Sequence, residues 1–238
     1  MNLFYSPTIA PPSHRFDREE STHIVRVLRL KEGDQLHLTD GIGSLYVAEI
    51  SQADPKACEV TIHSHTLTPS NLNTLHIAIA PTKNINRFEW FLEKATEIGI
   101  NDITPLICAH SERTVVKTER FRKILVTAMK QSLKMWLPTL HESKRFSELI
   151  RNNFTGQKFI AYCETGSEEL LQKIYKPGDP TLILIGPEGD FSPEEVKHAK
   201  KEGFVPVSLG NSRLRTETAG VVVCTMIQTI FATDLHSP

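Results

Sequence analysis

The sequence predicts an α/β protein: a parallel sheet with helices on its faces, preceded by a small β-barrel. Three observations carry this. From Leu75 onward, short apolar runs alternate with helical stretches, the pattern of a parallel sheet covered by helices. Before that point, alternating runs and turn signals follow one another closely, as in a small barrel. Leu182–Ile185 is apolar and uncharged, as expected of a strand buried on both faces.

In the first part, Gln35-Leu-His-Leu-Thr39 alternates, Asp40-Gly41 marks a turn, and Ser44–Ser51 and Ala57–His63 follow as strands. Glu20–Leu30 breaks the pattern and reads as a short helix ahead of Gly33. Thr66–Asn73 is polar, contains a proline and reads as a linker, which divides the chain into domains at 1–70 and 74–238. Leu75–Ala80 is then a strand, Arg87–Ile98 a helix closed by Gly99, and Ile103–Ile107 a strand. Glu119–Trp136 is a helix stopped by Pro138, and Lys158–Cys163 is a third strand. Ser192 reads as an N-cap, Pro193 falls at the first helical position and Glu195 completes a capping box. That helix ends at Gly203, and the last helix runs from Thr216 to Ala232.

Composition excludes several classes. No uncharged apolar run reaches the roughly 18 residues of a membrane span. Met1–Ser6 has no basic segment leading into an apolar one, so no signal peptide is expected. Cys58, Cys108, Cys163 and Cys224 are widely spaced and read as reduced thiols of a cytoplasmic protein. His63 and His65 share a strand face and read as a solvated pair, so no metal is expected. The net charge is only −1, but its distribution is uneven. Residues 83–145 carry 12 basic and 7 acidic side chains, a net +5, between two flanks of −3 each. Such segregation bears on nucleic-acid contact more than the total does.

Two stretches near the C-terminus run from an apolar strand through a glycine turn into a helix, and ligands of open α/β sheets lie at such strand ends. Gly186 and Gly189 allow a tight turn or a close ligand. Arg213 and Arg215, beside Gly210, suit an anionic or polar ligand. An ordinary βα turn with solvated arginines has the same spacing, and neither G-x-G-x-x-G nor a P-loop is present.

The pair Leu184-Ile-Gly-Pro-Glu-Gly-Asp-Phe191 and Leu209-Gly-Asn-Ser-Arg-Leu-Arg-Thr-Glu-Thr-Ala219 resembles the signature of the RsmE family. Those proteins are 16S rRNA (uracil-N3) methyltransferases of the knotted SPOUT superfamily. The resemblance extends over nearly the whole chain and includes His23-Ile-Val-Arg-Val-Leu-Arg29. Asp190 departs from the glycine usual there, and Lys130-Gln-Ser-Leu-Lys134 and Asn211-Ser212 also differ.

The resemblance implies a PUA-like RNA-binding barrel in 1–70 and a SPOUT methyltransferase domain with a trefoil knot in 74–238. It implies S-adenosyl-L-methionine as cofactor, held by Leu184, Ile185, Gly186, Pro187, Glu188, Gly189, Leu209, Gly210 and Leu214. The three leucines would sandwich the adenine. It also implies 16S rRNA, on the small ribosomal subunit, as partner.

Methyl transfer to uracil N3 needs a displaced proton and a stabilised anion. Arg215 is the candidate for the anion, and Glu217 for the proton, although a helix start explains Glu217 equally well. Candidate RNA contacts are Arg15, Arg26 and Arg29 in the barrel and Lys83 and Arg87 after the first strand of the sheet. Arg113, Arg120, Arg122 and Lys123 join them from a stretch with seven basic residues and one acid, Arg113–Lys134. A solvated basic face is the blander meaning of that run. The last helix is apolar around more than one face, which predicts a homodimer. Ribose 2′-O methylation and a non-catalytic ribosome-assembly role remain alternatives.

Overall fold

The computed structural model describes residues 2–69, 74–162 and 168–235. They divide into two compact units, Met1–Ser70 with Met129–Leu137, and Asn71–Ala128 with Pro138–Pro238.

The first unit contains β1 (Leu3–Tyr5), β2 (Ser13–Arg15), α1 (Arg18–Thr22), a π-helical turn (His23–Val27), β3 (Gln35–Thr39), β4 (Ser44–Gln52) and β5 (Glu59–Leu67). Its sheet has the order β1-β3-β4-β5-β2, antiparallel except for β1 with β3. Alternate residues of β3 and β4 point inward, so Leu36, Leu38, Ala48 and Ile50 meet Phe4, Ile24 and Val60 in one core. Asp17 caps α1 by accepting the Glu20 N–H at 2.8 Å. The helix expected over Glu20–Leu30 is thus shared between α1 and the π-helical turn. Soon after that turn, Arg29 takes a left-handed backbone, φ 58°.

The second unit begins with β6 (Leu75–Ile79), α2 (Ile85–Ile98), β7 (Asp102–Ile107) and α3 (Thr118–Gln131), whose residues from Met129 on count with the first unit. It continues with β8 (Thr139–Leu140), β9 (Lys144–Arg145), α4 (Phe146–Leu149), β10 (Gln157–Ala161), β11 (Glu169–Leu170) and α5 (Leu171–Ile174). It ends with β12 (Thr181–Ile185), α6 (Pro193–Lys201), β13 (Val205–Ser208) and α7 (Thr216–Leu235). The strand order is β11-β13-β10-β12-β6-β7-β8, with β9 also on β7, and every pairing is parallel. All five residues of β12 are buried, as its apolar run predicts. Leu182 and Leu184 face the Phe191, Val196 and Ala199 side. On the other side Ile79 and Phe91 lie against Gly220 of α7. After β13 the chain returns past β10 and β12 to pack α7 on α2 and β6, the kind of return a trefoil knot requires.

α3 ends at Gln131, five residues short of the expected Trp136. Leu133 turns left-handed at φ 53°. Trp136 then bridges to Ile42, and its indole N–H donates to the Thr68 carbonyl at 3.2 Å. Cys58, Cys108 and Cys224 are buried and free. Cys163, the expected end of the third strand, and Ser70–Asn73 of the expected linker lie outside the described residues. His63 sits 3.6 Å from the Glu49 carboxylate, and His65 stacks on Tyr46. Among the described residues no helix is long and apolar enough to cross a membrane.

A polar cluster lies beside the first residues of β6 and β7 and just past the end of β8. His141 bonds to Asp102 at 2.7 Å, and His76 Nε2 lies 2.8 Å from the Thr104 hydroxyl. Burial pushes the His76 imidazole down from 6.5 to about 4, aided by His141 and Lys144 and opposed by Asp102. Between those two values the unfolded chain binds a proton that the folded chain refuses. Stability therefore falls as the pH drops from about 6.5 towards about 4, by up to roughly 2–3 kcal/mol. His76→Gln, which keeps a polar group near the hydroxyl but does not titrate, should flatten that slope. Urea unfolding across this pH window checks it, and parallel wild-type and variant slopes would contradict it.

Candidate active site

Because β6, β7, β12 and β13 run parallel, their carboxyl ends share one edge, and the loops that leave them meet there. The loop after β12 and the loop after β13 enclose a cleft of about 610 Å³. Local chemistry shapes the first loop. Ser192 Oγ accepts the Glu195 N–H at 3.2 Å, and Glu195 Oε2 accepts the Ser192 N–H at 2.9 Å, which starts α6. Asp190 stands at φ 61°, the left-handed region that glycine enters freely. An aspartate is tolerated because its Oδ1 accepts the next N–H, that of Phe191, at 2.8 Å.

In the second loop Gly210 lies at φ 131°, where a side chain is strained although no described residue occupies the space a Cβ would fill. The Ser208 hydroxyl accepts from Gly210 N and donates to Gly210 O, which closes the turn. The buried Thr216 hydroxyl then donates to the Gly186 carbonyl at 3.0 Å and ties the two loops together.

Ile185, Gly186, Pro187, Glu188, Leu209, Gly210 and Leu214 line this cleft, and so does Arg215. Leu184 and Gly189 do not. Leu184 is fully buried in the core on the α6 side of the sheet, so only Leu209 and Leu214 of the three leucines reach the cleft. Gly189 is pressed against the loop after β7, where a Cβ would sit 3.1 Å from His110 Cβ. A Cβ on Gly186 would meet the Phe191 ring at 3.2 Å, so this glycine makes room for the loop's own aromatic.

Ala161 and Tyr162 also line the cleft, as do Val207, Asp190 and Thr216. The first two lie at the end of β10, and the carboxyl-end rule applied to that strand would have identified them. Among the described residues no group of three or more His, Cys, Asp or Glu side chains is placed to hold a metal ion.

The charged groups divide clearly. Arg215 is exposed at the rim, and no ion pair to it occurs among the described residues. Glu217, expected beside it as a second catalytic group, is buried and faces Arg87: Oε1 lies 3.8 Å from Arg87 Nε, and Oε2 has no hydrogen-bond partner among the described residues. Lys83 Nζ pairs with Glu112 at 2.8 Å, and that carboxylate holds the ammonium above its ordinary pKa. Arg113 points inward and donates to the carbonyls of Thr82 and Lys83 at 3.3 and 2.9 Å. Arg120, Arg122 and Lys123 are all exposed on one helix, and Arg120 Nε lies 2.6 Å from Glu89. In the first unit Arg15 lies 3.7 Å from Glu59, and Arg26 and Arg29 are exposed. Burial raises the Cys108 thiol well above its usual range, reinforced by the nearby Glu195 carboxylate, so it is no nucleophile at neutral pH.

A family model described as an RNA methyltransferase domain matches residues 68–228, and one described as an RNA methyltransferase PUA domain matches residues 16–62. Ribosomal RNA small subunit methyltransferase E of Buchnera aphidicola subsp. Acyrthosiphon pisum is 29% identical over 225 residues, 91% of this chain and 88% of that protein. The crystal structure of a probable rRNA-methyltransferase from Porphyromonas gingivalis is 44% identical and superposes with a TM-score of 0.93, covering 98% of this chain and 100% of that one. A ribosomal RNA small subunit methyltransferase E from Neisseria gonorrhoeae, solved bound to S-adenosyl methionine, is 25% identical with a TM-score of 0.82, covering 97% and 98%. The parallel-sheet unit is a SPOUT methyltransferase domain and the small curled sheet a PUA-like domain. With both domains matched and the relatives aligned along nearly its whole length, the chain belongs to the ribosomal RNA small subunit methyltransferase E family.

Proposed function

We propose that this chain is an S-adenosylmethionine-dependent rRNA methyltransferase that methylates N3 of a uridine in 16S rRNA on the small ribosomal subunit, in the cytoplasm. The observation that carries the proposal is the cleft between the two glycine loops, with the Arg215 guanidinium at its rim. The cleft suits the cofactor. Its volume of about 610 Å³ falls within the roughly 300–1,000 Å³ typical of small-molecule sites. Leu209 and Leu214 offer apolar faces to a planar ring, and Gly210, which has no Cβ, lets backbone groups approach a heteroaromatic edge.

When bound, S-adenosylmethionine supplies an activated methyl group on a sulfonium sulfur. The chain's own residues do the rest. Arg215 offers a fork of donors to a uracil carbonyl oxygen, where negative charge gathers as the N3 proton leaves. Glu217 acts at one remove, by holding Arg87 at the start of α2. N3 is hidden in a base pair, so the target uridine reaches the site unpaired or flipped.

The test is methylation of small subunits that lack the modification, with S-adenosylmethionine, followed by nuclease digestion and mass spectrometry. N3-methyluridine is the expected product. A ribose 2′-O-methyl product, or none, would refute the reading.

RNA is held through exposed cations. Since Arg120 is engaged by Glu89 and Arg113 by backbone carbonyls, Arg122 and Lys123 are the phosphate contacts on α3, with Arg26 and Arg29 on the PUA-like domain. Changing both Arg122 and Lys123 to Ala should weaken subunit binding. The slope of log affinity against log salt should flatten by about 0.7–0.9 for each phosphate that is no longer neutralised. Cofactor affinity should stay constant. A salt slope equal to wild type would mark this face as merely solvated.

The protein acts as a homodimer. Val223, Cys224, Ile227 and Phe231 of α7 are buried within the chain. Val222, Met226 and Ile230 form a half-exposed apolar row at i, i+4 and i+8 that suits a second copy. Light scattering should return twice the chain mass, and a monomer at micromolar concentration would exclude the dimer.

A further inference from the structure

We propose that His110 is a positioning residue for the cofactor loop: from outside the cleft, it fixes the peptide groups on either side of Asp190. The inference rests on the S-adenosylmethionine reading above. His110 Nδ1 lies 3.0 Å from the Gly189 carbonyl oxygen and 3.1 Å from that of Asp190. Both partners only accept, so the proton resides on Nδ1. These two carbonyls belong to the peptides that flank the Asp190 Cα.

Asp190 is also where the backbone is strained, at φ 61°. A left-handed backbone is costly for a side-chain-bearing residue and persists only where its surroundings hold it. The loop has two sides. Gly186, Pro187, Glu188 and Asp190 face the cleft, while Gly189 faces His110. Even the smallest side chain at Gly189 would crowd His110, so the sequence leaves room for this contact.

The imidazole is itself anchored. Glu195, whose Oε2 starts α6 by accepting the Ser192 N–H, uses Oε1 to accept the Ala109 N–H at 2.8 Å. The residue before His110 is thereby fixed to the helix that follows the cofactor loop. A further brace lies on the other side, where Glu188 Oε1 accepts the Lys83 N–H at 3.0 Å. The loop is thus held from both flanks, by the segment after β6 and by the segment after β7. His110 adds hydrogen bonds to the two carbonyls at its strained turn.

His110 itself is exposed and fills no core space. Its removal should therefore cost cofactor affinity rather than global stability. His110→Ala should weaken S-adenosylmethionine binding by about 3–10-fold, the worth of one such hydrogen-bonding group. The Michaelis constant for the cofactor should rise by a similar factor, with turnover at saturation and the melting temperature close to wild type.

The geometry of the donor provides the control. The amide nitrogen of Asn lies one bond beyond Cγ, as Nδ1 does, whereas that of Gln lies one bond further out. His110→Asn should restore binding, and His110→Gln should not. The experiment is calorimetric titration of S-adenosylmethionine into the wild type and the three variants, with thermal melts in parallel. The inference is overturned if His110→Ala binds as tightly as wild type, or if Asn and Gln behave alike. If the wild-type protein itself binds no S-adenosylmethionine, the cofactor reading falls first and this inference with it.

Discussion

Replacing Arg215 by Ala should lower single-turnover methylation by about 10²–10³, the usual cost of one preorganised donor to a developing anion, while S-adenosylmethionine affinity stays near wild type. The expectation rests on where the guanidinium is and on what it does not touch. It lies at the rim of the cleft, and no ion pair to it occurs among the described residues. The competing role for Arg215 is a structural pair with Glu217, and that carboxylate faces Arg87 instead. A guanidinium beside the cleft that no described residue engages in an ion pair is available to a substrate. Uracil that has lost its N3 proton carries negative charge on its carbonyl oxygens, so the contact strengthens along the reaction, and such contacts raise turnover rather than ground-state affinity. Arg215→Lys keeps the charge but loses the planar fork and should fall between the two. A wild-type rate for Arg215→Ala with saturating substrates would end this assignment.

What can be read from the sequence is local. The capping box at Ser192 and Glu195 follows from four consecutive residues, and the structure has it. The second use of Glu195, accepting an N–H 86 positions away, has no local signal. Glu217 shows the same limit. Its helix-start position is legible, but its turn towards Arg87 depends on how α7 packs against α2. Leu184 shows another. In a strand covered on both faces every residue is apolar, so the sequence carries no mark of which side each one faces. The end of α3 is not legible because Ser132–Trp136 has acceptable helix formers. The left-handed turn at Leu133 and the Trp136–Thr68 bond come from tertiary contact.

Asp190 is the reverse case. Its departure from the usual glycine is visible in the sequence, and the structure supplies the reason it is tolerated: a local hydrogen bond to Phe191 and the His110 contact beneath it. The loops at the carboxyl edge are therefore legible as a region. Their bracing is hidden because each brace joins segments far apart in the chain.

The second large effect is expected at Gly220, where two considerations oppose each other. Ala is favoured over Gly inside a helix by about 1 kcal/mol, and Gly220 sits within the 20-residue α7. Propensity alone would make Gly220→Ala stabilising. Packing points the other way. A Cβ there would lie 2.5 Å from Cδ2 and Cε2 of Phe91 and 3.1 Å from Cδ1 of Ile79. Phe91 and Ile79 are both fully buried, so neither can swing into solvent. Relief requires α7 to move off α2, and overpacking of this kind costs typically about 1–3 kcal/mol or more. The steric term should win: Gly220→Ala should lose about 1–2 kcal/mol net, and Gly220→Val several. The displacement also reaches the site. Thr216, one turn earlier on α7, donates to the Gly186 carbonyl, so a shifted helix loosens the tie between the two loops that line the cleft. Cofactor affinity should therefore fall along with stability. Phe91→Leu removes the ring that the new methyl strikes. In a double-mutant cycle of urea unfolding, Gly220→Ala should cost less on that background than on wild type. A Gly220→Ala protein as stable as wild type would show that α7 does not depend on this close approach.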